Sequence, residues 1–260
     1  MARLLDKVAL VTGASSGIGR STARALAAEG ARVIAAARRT ERIEALRDEI
    51  AAAHGPQSCG ALQVDVRDRA DVEEALRAIA RAGWGEIDIL VNNAGLAAGL
   101  DPIQDASFDD WDRMIETNLR GLLNVSRLVL PGMVERGRGH VVNVGSVAGR
   151  EVYPSGSVYC ATKSAVRALN QAMRMDLLGH GIRVTVVEPG MVETEFSLVR
   201  FHGEAERAAK VYENTTPLGP DDVADAIVWA LTRPLHVNVE EILLMPTDQA
   251  SATRVHRRNP

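Results

Sequence analysis

Seven short apolar runs, separated by helical patterns, restrict this chain more than any other feature. They lie at Lys7–Val11, Arg32–Ala37, Ala61–Val66, Ile87–Val91, Gly139–Ser146, Ile182–Glu188 and Glu241–Met245. A near-continuous apolar run of this length reads as a strand covered on both faces. Between them, helical spacing covers about 20–29, 40–53, 71–81, 109–135, 157–178 and 220–231. Regular alternation of strand and helix implies an α/β fold, a doubly wound seven-stranded parallel sheet of Rossmann type. At 260 residues, without an internal repeat or a domain-splitting linker, one domain is expected over 1–250, followed by a C-terminal tail at 251–260. The stretch 191–218 lacks a steady period and is read as a lid, and the basic end at Arg254 to Arg258 as solvated.

Composition excludes several functions. The net charge is −4, with arginines scattered among acids, so neither nucleic acid nor an anionic membrane is an expected partner. No apolar run approaches the ~18 residues of a membrane span, and no signal peptide is expected, since cleavage in the usual place would remove a first strand that begins by Lys7. Two cysteines, Cys59 and Cys160, fit a reducing compartment, and the expected location is cytoplasmic. The six histidines form no metal-binding pattern, so no metal is expected. Cys160 beside Tyr159 is read as a buried small residue, because successive helical residues diverge by about 100°.

The chemistry is sought where strands end, since open α/β sheets bind ligands there. After the first strand comes Thr12-Gly13-Ala14-Ser15-Ser16-Gly17-Ile18-Gly19, a glycine turn leading into a helix. Backbone N–H groups and a helix N-terminus at such a turn can face a pyrophosphate. The spacing is GxxxGxG rather than GxGxxG, and an ordinary glycine turn is the plain alternative. The second strand ends in Arg38-Arg39 where an acid would bind a ribose 2′-hydroxyl; arginine there admits a 2′-phosphate, so NADP is expected over NAD. Solvated charges starting the next helix are the alternative. Asp65, next to Val66, is placed to accept from an adenine amino group or to cap the next helix. Asn92, Asn93, Ala94 and Gly95 follow the fourth strand, either at a ligand or bracing loops. Asn118 shares a stripe with Ile115, Leu119, Leu122, Val125, Ser126 and Val129, and is either a structural bond or the holder of a catalytic water.

Ser146 ends the fifth strand, and Tyr159 and Lys163 follow four residues apart on one side of a helix. An ammonium beside a phenol can lower its pKa, creating an acid/base usable near neutrality. Val158, Ala161, Ala165, Leu169, Ala172 and Met173 are read as that helix's buried face.

The turn at 12–19, NNAG at 92–95, Asn118, Ser146, YxxxK at 159–163 and Pro189-Gly190, in this order over essentially the whole chain, together resemble the short-chain dehydrogenase/reductase family. The resemblance implies hydride transfer between a nicotinamide cofactor and a small alcohol or carbonyl substrate. It makes Tyr159 the acid/base, Lys163 the group that lowers its pKa and holds the nicotinamide ribose, Ser146 the binder of the substrate oxygen, and Asn118 the anchor of a relay water. Gly13, Ser15, Ser16, Gly17, Ile18, Gly19, Arg38, Arg39, Asp65, Val66, Asn92, Ala94, Gly95, Tyr159, Lys163, Pro189, Gly190, Val192 and Thr194 become the cofactor-binding set. It also implies self-association, as a homotetramer or homodimer. The segment from Glu188 to Phe201, with later pieces near Val211, His236 and Met245, is similar to NADP-dependent dehydrogenases of serine and other 3-hydroxy acids. The end at Pro246 to Gln249 is similar also to ketone and aldehyde reductases of secondary metabolism. A carboxylate substrate would need a cation near the lid, for which Arg150 and Arg200 are candidates. Two other classes share the fold: a non-catalytic nucleotide-binding regulator and a structural subunit.

Overall fold

The computed structural model describes residues 3–258. Seven parallel strands form one sheet in the order β3-β2-β1-β4-β5-β6-β7. They are β1 (Val8–Thr12), β2 (Arg32–Ala37), β3 (Cys59–Gln63), β4 (Ile89–Asn92), β5 (Gly139–Val144), β6 (Ile182–Pro189) and β7 (Glu241–Leu244). The strand order reverses between β1 and β4, which opens a crevice at their carboxyl ends. Five of the seven strands are buried over most of their length, which explains why they read as continuous apolar runs.

Helices α1 (Gly17–Ala28), α2 (Thr40–His54) and α3 (Arg69–Arg81) follow the first three strands. One core layer, including Leu26, Ile43, Leu46 and Ile227, joins α1 and α2 to α9 (Pro220–Leu231). The opposite layer packs Val72, Ile79, Val125, Met133 and Val166 against the other sheet face.

The third strand ends at Gln63, earlier than expected, because its pairing with β2 runs only from Cys59 to Gln63. Val64 and Val66 are apolar because they line the crevice, not because they extend the strand. The expected helix over 109–135 is interrupted. α4 (Phe108–Ile115) and α5 (Leu122–Arg136) are separated by a π-helical segment, Glu116–Gly121. The wider turn shifts the phase, so Ile115 is 41% exposed while Thr117 and Asn118 are buried. Gly121 permits this fit, since a Cβ there would lie 2.5 Å from Val66 Cγ2.

α6 (Ser157–Asp176) corrects the expected face. Its buried residues include Tyr159, Lys163, Val166, Asn170 and Met173. Ala161 and Ala172 are exposed, and Val158, Ala165 and Leu169 are only partly buried. The polar site residues therefore face inward, and the stripe of small apolar residues faces outward.

The segment 191–218 leaves and returns at one place, where Val192 and Leu218 bridge in parallel. Within it stand two short helices, α7 (Phe196–Arg200) and α8 (Ala205–Lys210), beyond the irregular course expected. The basic end of the C-terminal tail is exposed to water, as read, and is also tied to the body of the protein as far as Arg258. Arg257 donates to the carbonyls of Glu213 and Val211, and Arg258 to Asp248 and Thr216.

Candidate active site

The crevice at the strand-order reversal holds a cavity of about 340 Å³. One side of it is the glycine turn between β1 and α1. Gly13 and Gly17 take positive φ, +67° and +52°. A Cβ on Gly13 would lie 2.9 Å from Ala94 Cα, and one on Gly17 3.2 Å from Thr194 Cγ2. The backbone is thus bare where the turn meets the cleft, as a closely approaching phosphate requires. Gly190 is constrained similarly, since a Cβ would come within 2.3 Å of Gln249 Oε1.

Gly13, Ser15, Ser16, Gly17, Ile18, Arg38, Arg39, Asp65, Val66, Ala94, Gly95, Ser146, Tyr159, Lys163, Pro189, Gly190, Val192 and Thr194 all line this cavity. Three expected residues do not. Gly19 is buried behind the turn, where a Cβ would strike Asn93 Nδ2 at 2.3 Å and Gly13 O at 2.5 Å, so it serves the packing of the turn. Asn92 lies inside the sheet and donates to Ser126 Oγ and Asn143 Oδ1. Asn118 places its side chain behind the wall. Its Oδ1 accepts from Leu96 N at 2.8 Å, and its Nδ2 donates to Leu96 O at 2.8 Å and Thr162 Oγ1 at 3.1 Å. These side-chain contacts are structural bonds. Asp65 does not cap α3; Asp68 does, accepting from Ala70 N and Asp71 N, while Asp65 pairs with Arg67. That pairing holds the Asp65 carboxyl below its usual range.

Thr117, Val144 and Glu195 also line the cavity and carry no motif that would single them out, whereas Asn93 takes the loop-bracing role that was one of its two readings. Asn93 donates to Thr12 O at 2.9 Å and fixes the turn to β4.

Tyr159 is brought to the floor of the cavity by the inward face of α6, with Ser146 at the start of the 3₁₀ turn Val147–Gly149. The Ser146 hydroxyl oxygen accepts from Ala148 N, which fixes its rotamer. Burial pushes the Tyr159 phenol above its ordinary value, and Arg200, then Ser146, pull it back. Lys163 is buried and donates from Nζ to Val144 O at 2.8 Å. Burial alone lowers it to about 8. Its ammonium lies 6.0 Å from the Tyr159 ring centre. Arg200 is thus a second cation beside Tyr159, in addition to the Lys163 expected from the four-residue spacing.

Of the two arginines offered for a carboxylate, Arg150 is committed elsewhere, paired with Glu188 and Glu241 behind β6. Arg200, at the end of α7, packs among aromatic rings. Its guanidinium carbon is 5.1 Å from the Tyr159 ring centre and 5.2 Å from that of Phe196. Nη2 donates to Tyr153 Oη at 2.8 Å, while the buried Nε has no hydrogen-bond partner. Cys160 is buried, as expected. Among the described residues no cluster of His, Cys, Asp and Glu could hold a metal. No helix among them is long and apolar enough to cross a membrane.

The model of the family described as short chain dehydrogenase matches residues 7–204. NADP-dependent 3-hydroxy acid dehydrogenase YdfG of Salmonella typhi is 49% identical over 252 residues, 96% of this chain and 99% of the relative. The NADP-dependent 3-hydroxy acid dehydrogenase of Schizosaccharomyces pombe is 42% identical, covering 99% of both chains. Among solved structures, the closed form of serine dehydrogenase complexed with NADP+ superposes with a TM-score of 0.90 at 47% identity, covering 96% of this chain and 100% of the other. An alcohol dehydrogenase of Thermococcus sibiricus complexed with 5-hydroxy-NADP gives 0.82 at 31% identity, covering 94% and 98%.

Proposed function

The chain belongs to the short-chain dehydrogenase family, and from that premise we propose that it is an NADP-dependent oxidoreductase acting on the alcohol of a 3-hydroxy acid, or on the corresponding carbonyl. The observation that carries the substrate class is Arg200. A guanidinium beside the acid/base phenol, with no carboxylate partner among the described residues, is suited to a small anion. The names of the relatives agree with that class.

The cofactor reading is supported by a second strand that ends in Arg38 and Arg39, both on the cavity wall, and by glycines that leave the turn bare. When bound, the cofactor supplies or accepts the hydride at the substrate carbon. The residues do the rest. Ser146 holds the substrate oxygen, and Tyr159 gives that oxygen a proton in reduction or takes one in oxidation. Arg200 holds the carboxylate and favours the phenolate. Lys163, anchored on Val144, adds a donor and positive charge at the cleft floor. Segment 191–218, whose helix α7 carries Arg200, acts as the lid. We assign the chain a homotetramer or homodimer, built on the outward stripe of α6.

Two substitutions test this. Tyr159→Phe is expected to lower kcat by at least ~10²-fold with cofactor affinity little changed. Arg200→Ala is expected to raise KM for a carboxylate substrate by about ten- to a hundredfold, since hydrogen bonds to charged groups contribute about 1.5–3 kcal/mol. An unchanged KM for the carboxylate substrate would remove the 3-hydroxy acid assignment.

A further inference from the structure

An acid that the proposed reaction does not use stands on the rim of the cofactor cleft. Glu195 immediately precedes α7, and its carboxylate accepts from Arg42 Nη1 at 2.7 and 2.8 Å and from Arg39 Nη1 at 3.0 Å. The other donors of Arg39 are also taken. Nε and Nη2 donate to Ser15 Oγ at 3.1 and 2.9 Å, and Nη2 to Ser16 Oγ at 2.8 Å. Every nitrogen of Arg39 therefore has an internal acceptor, whereas Arg38 is exposed and has no hydrogen-bond partner among the described residues. Arg42, then Arg39, hold the Glu195 carboxyl below its usual range, so it is an anion at neutral pH.

A 2′-phosphate at the end of β2 would bring a second anion to these guanidinium groups, with about −1.5 to −2 charges. Resting on the NADP reading above, we propose that Glu195 is a specificity-setting residue, a built-in anion that occupies Arg39 and Arg42 in place of the 2′-phosphate. It yields Arg39 when a phosphorylated cofactor arrives, and holds the affinity for NADP below what the arginines alone would give. Affinity for NAD is left untouched. The geometry allows the exchange, because both ion pairs are open to water: the Arg39, Arg42 and Glu195 side chains are 45%, 47% and 41% exposed. Pairs of that kind are weak and easily traded for a more highly charged partner.

The test is calorimetric titration of wild type, Glu195→Gln and Glu195→Ala with 2′,5′-ADP, which carries the 2′-phosphate without the nicotinamide, and with 5′-AMP as control. At low ionic strength both variants are expected to bind 2′,5′-ADP about three- to tenfold more tightly than wild type, with 5′-AMP unchanged. The advantage should shrink as salt is added. Equal or weaker binding of 2′,5′-ADP by both variants would overturn the proposal, leaving Glu195 as a bystander or as a support for Arg39. A wild-type protein that binds 5′-AMP as tightly as 2′,5′-ADP would instead remove the NADP reading, and the proposal with it.

Discussion

Tyr159 and Lys163 are neighbours on α6, yet their electrostatic circumstances differ. Burial raises the phenol and Arg200 opposes the rise, so Arg200→Ala should move the pH at which alcohol oxidation levels off further to the alkaline side. A pH profile of kcat/KM for a neutral alcohol would register this apart from any loss of carboxylate binding. An unshifted profile would show that Arg200 does not act on the phenol. Lys163 gives a prediction of stability. Burial lowers its pKa to about 8 in the folded protein, below the ordinary lysine value of 10.5. Between those values the unfolded chain binds more protons than the native one, so this residue makes stability rise with pH across that window. Lys163→Met should therefore be favoured over wild type most below about pH 8, and lose that advantage by about pH 10.5. Denaturant titrations across this range would measure the difference. The tyrosine and lysine are legible in the sequence because four-residue spacing is local. The role of Arg200 is not, because only the course of the lid brings it to α6, and nothing in the sequence tells it from Arg150, which Glu188 and Glu241 hold.

The break between α4 and α5 shows how an element can hide a change of phase. A helical stripe was readable, but the extra residue of a π turn changes its phase, and Asn118 is buried where a straight helix would have been expected to continue. The Asn118 amide satisfies both backbone groups of Leu96, itself in the cavity wall. Asn118→Ala leaves that N–H and C=O without partners, and is expected to lower unfolding free energy by about 1–3 kcal/mol. Urea unfolding monitored by circular dichroism would check it. Buried asparagines continue the pattern through the sheet, since Asn143 accepts from Asn92 and donates to Asn170. In a sequence each looks like a polar residue among apolar ones; the parallel pairing of β4 with β5 sets Asn92 beside Asn143, and the packing of α6 on the sheet brings Asn170 to them.

Over the whole molecule, five of the seven strands are legible because burial on both faces makes each an apolar run, while β3 and β7, only partly buried, still carry enough apolar residues to be read. The lid helices are not legible, since Phe196–Arg200 and Ala205–Lys210 are too short to establish a period. The outward stripe of α6, with exposed Ala161, Ala168, Ala172 and Met175, argues for association through closely approaching helices. Ala168→Arg should convert the assembly to a smaller species by light scattering at micromolar concentration, and a wild-type monomer would remove the proposal. The strand order carries a further consequence, for the time course of synthesis. β1 is made early, but one of its edges pairs with β4, about eighty residues later along the chain. At ~5–20 residues per second, the ribosome leaves that edge without its partner for roughly 4–16 s. During that interval the nascent chain exposes an apolar strand edge, a ready site for chaperone capture or for pairing with another chain.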